Sequence, residues 1–394
     1  MKPDSARAGR RSRVLKVAGA FLALVFLLFL PRFYRWGLAA ALVIDTLNAN
    51  KISLLSHLGP DPVRLSTHVP GLGGPVAADL YIPGEGFPRR AMLLIHGVNE
   101  TGKDDARVIA LASNLARART AVLVPDFPNF RHLHIGSSDA VAAVEAISAL
   151  VERFPELCRS DHAHGCGLFS FSYGVGPALI AAADPRVRDR IGFVVAFGGY
   201  ADLTEVVRFV TTGQASDPRV EAVPYPWAKW VFLAANAGLV GNELDRRLLG
   251  EIAQRKLNDP KADVQTLAGK LEPEGQALWL LMMNREPRKT ETLIAGLSPA
   301  IQEQIEALSP LSRIPNVHAR LLLIHGASDR SIPFTESERI AAAAPDRASL
   351  TITRIFAHVD PLGPEQGGLR STWRYAFEAW RLISFADELL AQKG

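Results

Sequence analysis

Cysteine is almost absent from this chain: Cys158 and Cys166 are the only two in 394 residues. So few exclude a disulfide-dense scaffold and a four-cysteine metal site. A basic excess is also missing once the first sixteen residues are set aside. There Lys2, Arg7, Arg10, Arg11, Arg13 and Lys16 stand against Asp4 alone, which more than accounts for the net charge of +4. The pI of about 9.1 thus belongs to a leader, and no nucleic-acid partner is expected. There is no HExxH, no P-loop, no internal repeat and no low-complexity tract. Neither a metal nor a nucleotide cofactor is expected.

What is present starts with that leader. The six bases precede Val17 to Leu30, a run without one polar side chain. This is the layout of a secretory signal or a signal anchor, with the basic flank inside and the remainder outside. The apolar run alone spans about 21 Å at ~1.5 Å per residue, short of a ~30 Å hydrocarbon core. With Lys16 snorkelling and Phe33, Tyr34 and Trp36 at the far interface, residues 14–36 span about 34 Å, which suffices. Cleavage near Ala39-Ala40-Ala41 is the alternative, although that site lies beyond Arg32 and Arg35. A retained anchor is the preferred expectation.

Chemistry gathers at four segments. Ser170-Phe171-Ser172-Tyr173-Gly174 follows a short apolar run and precedes a small-residue helix beginning at Val175. A strand that turns sharply into a helix through small-x-Ser-x-Gly exposes the middle serine on a strained turn, and Ser170 and Gly174 must be small because strand and helix nearly touch. Met92 to Val98 reads as a buried strand ending in His96-Gly97, and Leu321 to Asp329 as a second one with an acid just past its end. A third short strand, Leu350 to Ile355, delivers His358. A serine hydroxyl is a weak nucleophile at neutral pH, so it needs an imidazole to take its proton and a carboxylate to orient that imidazole. Ser172, His358 and Asp329 supply the three. Asp126, after the strand from Thr120 to Val124, is a rival acid, and His96 and His325 are rival histidines, but only His358 follows Asp329 in the chain.

With its serine, acid and histidine in that order, the chain resembles the α/β-hydrolase superfamily over roughly residues 60 to 390. The resemblance implies an α/β fold with a mostly parallel central sheet, Asp329 in the acid loop, structural roles for His96 and His325, and an oxyanion hole. One donor of that hole would be the N–H of Tyr173, after the nucleophile, and the resemblance places the other at Val98. Activity is expected to be hydrolysis of carboxylic esters or thioesters, on small or lipid-like apolar substrates. A peptidase or amidase with the same residues is an alternative, as is a catalytically idle module used for binding at the membrane.

The expected organisation is a leader and anchor over 1–36, a juxtamembrane helix over 37–59, hydrolase core over 60–202, a helical cap over 203–312 and core again over 313–394. Arg64 to Val69 and Val76 to Ile82 should open the core as an antiparallel pair. The cap's apolar features, Trp227, Trp230, Trp279, Leu280, Leu281, Met282 and Met283, are expected mostly to form its own core. In an exported domain Cys158 and Cys166 are expected to pair, free thiols being the alternative.

Overall fold

The computed structural model describes residues 29–47, 53–159, 165–362 and 372–393. Eight strands form one sheet: β1 (Val63–Val69), β2 (Val76–Ile82), β3 (Arg90–Ile95), β4 (Thr120–Pro125), β5 (Cys166–Phe171), β6 (Ile191–Phe197), β7 (Arg320–Gly326) and β8 (Ala348–Thr353). Their order is β1-β2-β4-β3-β5-β6-β7-β8. β1 pairs antiparallel with β2, and β2 antiparallel with β4, while every later pairing is parallel. β5, which leads into Ser172, therefore lies inside the sheet between β3 and β6.

Successive side chains of a strand point to opposite faces, and a parallel sheet covered on both faces needs apolar residues at every position. The central strands meet that demand. Ala91, Leu93 and Ile95 of β3 join one buried cluster, while Met92 and Leu94 join the other. β7 divides likewise, Leu321 and Leu323 against Leu322 and Ile324. The first face is covered by the helices Ser138–Arg153 and Val175–Ala182, and the second by the helix over 29–47, Ala106–Arg117 and Thr372–Ala391.

Three expectations change, and one falls outside the described residues. The helix expected over 37–59 runs over 29–47 and is followed by a short turn, Leu55–His57. It is part of the core. Ala39, Ala41 and Leu42 are buried beside Leu382, Phe385 and Leu389, and Arg35 donates to both oxygens of Asp387, at 2.6 and 3.1 Å. Asp45 then holds the following turn by accepting from the N–H groups of Leu54 and Leu55, at 2.7 and 2.9 Å. Second, the anchor run of residues 17–30 lies, up to residue 28, outside the described residues, and no helix among the described residues is long and apolar enough to cross a membrane.

Third, β8 starts at Ala348 and ends at Thr353, earlier than expected, because its register is set by pairing with Leu321 to Gly326. His358 therefore sits on a loop, closed by a bridge between Phe356 and Pro361. Fourth, the segment between β6 and β7 is helical, but it has no separate core. Its buried Trp230, Trp279, Leu281 and Met282 belong to the same cluster as one face of the sheet, whereas Trp227, Leu280 and Met283 are exposed.

Cys158 and Cys166 are joined by a disulfide with Cα atoms 4.5 Å apart, and both are fully buried. The bridge ties the end of the helix Ser138–Arg153 region to the first residue of β5. Replacing both cysteines by serine should lower the unfolding free energy by about 2.5 kcal/mol on the loop-closure model, read from denaturant titration. Rapid alkylation of either thiol in the folded, unreduced protein would contradict the bridge.

Candidate active site

The site is built on a single abrupt change of backbone direction. Phe171 is still extended and pairs with Phe197 of β6, but Ser172 adopts φ +52°, and one tight turn later the helix Val175–Ala182 begins. A non-glycine residue in this left-handed region is uncommon and persists where its surroundings hold it. The neighbours are small for a steric reason. A Cβ added at Gly174 would lie 3.0 Å from both the His96 carbonyl oxygen and Ser170 Oγ. Gly97 also approaches closely, since a Cβ there would stand 3.6 Å from that of Ser172.

The loops after β7 and β8 bring Asp329 and His358 to this turn. Ser172 Oγ lies 2.6 Å from His358 Nε2, and His358 Nδ1 lies 2.5 Å from Asp329 Oδ2. Asp329 Oδ1 accepts from the N–H groups of Ser331 and Ile332, at 2.7 and 3.0 Å, so its other oxygen is left facing the histidine. Burial by itself would push the Asp329 carboxyl up, but the charge of His358 and hydrogen bonds from His325 and His358 hold it down at about 2. Burial likewise opposes charge on His358, yet the Asp329 carboxylate outweighs it and leaves the imidazole above its ordinary value. The carboxylate, then, is a fixed negative charge, which orients Nδ1–H and leaves Nε2 to accept from the serine hydroxyl.

The rival residues are engaged elsewhere. Asp126 accepts from Arg131 Nη1 at 2.8 Å. His96 Nε2 accepts from the N–H of Phe127 at 3.2 Å, which leaves its Nδ1–H to donate to the Gly97 carbonyl at 2.8 Å. His325 accepts from the Ser337 hydroxyl at Nδ1, 2.7 Å away, and directs Nε2–H between the Ile332 carbonyl at 3.0 Å and Asp329 Oδ2 at 3.2 Å. It braces the acid and does not reach the serine.

Val98 follows Gly97 and packs partly buried against the core. Tyr173 is buried at the start of the turn, and its hydroxyl donates to Asp139 Oδ2 at 3.0 Å. Asp139 also accepts from the N–H of Gly136 and from Asn129 Nδ2, each at 2.8 Å, while burial pushes its carboxyl above the ordinary range. This tether was not legible from the motifs, because Asp139 lies 34 residues before Tyr173 on a helix of unremarkable composition. At Gly198, after β6, a φ of +62° and the 3.2 Å that would separate a Cβ from His358 Nδ1 show that glycine leaves room for the imidazole.

A mostly parallel sheet with an antiparallel second strand, a serine elbow after β5, and an acid and a histidine after β7 and β8 together define the α/β-hydrolase fold. No protein-family model and no curated protein matches the chain. Among solved structures it is similar to an esterase of Pyrobaculum calidifontis, at 16% identity and a TM-score of 0.46, with 91% of this chain and 94% of that one covered. It is similar also to a puromycin-hydrolyzing peptidase of Mycobacterium tuberculosis, at 16% identity and a TM-score of 0.46, over 84% of this chain and 40% of that one. An acylaminoacyl peptidase of Pyrococcus horikoshii is similar at 13% identity and a TM-score of 0.44, over 86% of this chain and 43% of that one. The chain thus spans less than half the length of either peptidase. Likenesses this distant carry no argument about the bond cleaved, and the chemistry is read from the site's own geometry.

Ser170 and Gly174 make opposite predictions for two alanine substitutions. Ser170 Oγ is buried without a hydrogen-bond partner, so Ser170→Ala should leave stability unchanged or raise it by up to about 1 kcal/mol. Gly174→Ala forces a methyl against backbone and should cost about 1–3 kcal/mol, both changes being read from denaturant unfolding.

Proposed function

We propose that the chain is a serine hydrolase that cleaves carboxylic esters of apolar substrates through an acyl-enzyme on Ser172. The observation that supports this reading best is the continuous line of hydrogen bonds from Ser172 Oγ to His358 Nε2 and from His358 Nδ1 to Asp329. In the first step Ser172 Oγ attacks the ester carbonyl carbon while His358 Nε2 takes its proton. The N–H groups of Tyr173 and Val98 are assigned to the oxyanion, as donors that need no reorganisation when its charge develops. Collapse breaks the carbon–oxygen bond, and His358 returns the proton to the departing alcohol. Water then attacks the acyl-enzyme by the same route and releases the acid. Asp329 keeps the imidazole oriented and stabilises its charged form throughout.

Ester cleavage is favoured over peptide cleavage on the apolar side chains that the inserted segment exposes, among them Val223, Trp227 and Leu280. Fluorophosphonate labelling of the native chain and the Ser172→Ala variant, with matched ester and amide substrates, tests both halves. Ser172→Ala should lose labelling and roughly 10⁴–10⁶-fold in rate. Amides cleaved faster than esters would overturn the substrate half. The rate should also depend on pH with a defined sign. His358 accepts a proton only when neutral, and its pKa is raised, so kcat/KM should fall on acidification with a midpoint above the ordinary value of 6.5. A midpoint below 6 would contradict that environment.

The location proposed is the non-cytoplasmic face of a membrane, with the leader retained as an anchor. The basic flank before the apolar run supports it, and so does the disulfide, since such bonds persist in oxidising compartments. The full chain should sediment with membranes, and a reporter fused at its C-terminus should be active only if that reporter works outside the cytoplasm. A soluble product with a cytoplasm-active reporter would refute this.

A further inference from the structure

The helical segment between β6 and β7 carries an open cleft of about 1010 Å³, whose walls include Tyr225, Lys229, Trp230, Lys256, Trp279 and Arg285. Trp230 and Trp279 are stacked, with ring centroids 6.1 Å apart, and both are buried. Lys229 Nζ lies 4.8 Å and Lys256 Nζ 5.4 Å from the centre of the Trp230 ring. Their remaining contacts are neutral, the carbonyl of Met282 at 2.8 Å for Lys229 and that of Pro260 at 3.1 Å for Lys256.

No ion pair is made by Lys229, Lys256 or Arg285 among the described residues. Two carboxylates also line the cavity, but Asp259 accepts from the N–H of Lys261 and Asp263 from that of Gln265, at 2.9 and 3.0 Å. Lys229 and Lys256 therefore stand over the Trp230 ring without an ion-pair partner among the described residues, and Arg285 lines the same cleft. Burial, with Arg285 and Lys256 adding to it, holds the Lys229 ammonium down at about 8. A half-buried cation crowded by like charges is unfavourable, and the indole face offsets only part of that. An anion in the cavity would relieve it, and the stacked indoles would take an apolar body attached to that anion.

We propose that this cavity is a binding site for a carboxylate carried on an apolar chain. The choice of carboxylate rests on the hydrolase reading above, because such an acid is what ester cleavage releases.

The test measures binding without turnover. Hexanoate is titrated into the full-length Ser172→Ala chain and into Ser172→Ala carrying Lys229→Met, with hexanol and acetate as controls, by calorimetry and by total tryptophan fluorescence. Saturable one-to-one binding of hexanoate is expected, at least tenfold tighter than either control and at least tenfold weakened by Lys229→Met. Thermal unfolding checks that the Lys229→Met chain is folded, and Arg285→Met, at an exposed position, provides a second variant expected to weaken binding. Equal binding of hexanol and hexanoate, no saturation, or unchanged affinity in both variants overturns the proposal. Fluorophosphonate labelling of the native chain reads the hydrolase proposal separately, so an unreactive serine with intact hexanoate binding, or the reverse, identifies which of the two has failed.

Discussion

The left-handed backbone at Ser172 is the constraint around which the rest of the site is arranged. Such a conformation costs on the order of 1–3 kcal/mol and survives only where the surroundings over-determine it. Here the strand side is held by pairing of Phe171 with Phe197, and the helix side by a turn in which a side chain at Gly174 would crowd the His96 carbonyl. Between them Tyr173 is pinned through its hydroxyl to Asp139, whose second oxygen is held by Asn129. The same residue carries the N–H assigned to the oxyanion. Strain at the serine and placement of that donor are consequences of one local geometry.

Charge is handled in two contrasting ways. Asp329 is 1% exposed, yet two backbone N–H groups and two histidines surround its carboxylate. An unpaired carboxylate at such a depth would cost several kcal/mol, so the acid loop folds around it. The cations at the Trp230 cavity have no such shell. Their partners are carbonyl dipoles and a ring face, which stabilise charge less than a carboxylate does.

The parts of the fold legible in the sequence are those written in local pattern. Met92 to Ile95 and Leu321 to Ile324 could be read as strands because both faces of a central parallel strand are buried, and the order Ser172, Asp329, His358 could be read because the first two end or follow such strands and the third follows the edge strand β8. What stayed hidden depends on contacts distant in sequence. Arg35 meets Asp387 across 352 positions, and this pair helps to make the helix over 29–47 part of the core. Likewise Trp230 and Trp279 carry no sign, at their own positions, that they continue the sheet's cluster. β8 slipped toward the N-terminus because its register follows β7, a neighbour that the strand's own composition does not specify.

That hidden helix changes what an anchor would do. A juxtamembrane segment with free linker would let the catalytic domain swing over a membrane surface. Residues 29–47 instead form one helix, bonded to the last helix through Arg35 and Asp387 and buried at Ala39 and Leu42. Within the described residues, then, the chain that follows the proposed anchor run is already held to the hydrolase core. Phe29, Leu30 and Tyr34 are exposed at its first turns, where the chain would leave the membrane, and aromatic side chains suit that interface. The Arg35–Asp387 pair and the packing of Ala39 and Leu42 beneath it thus fix the described helix to the hydrolase core from its first third onward.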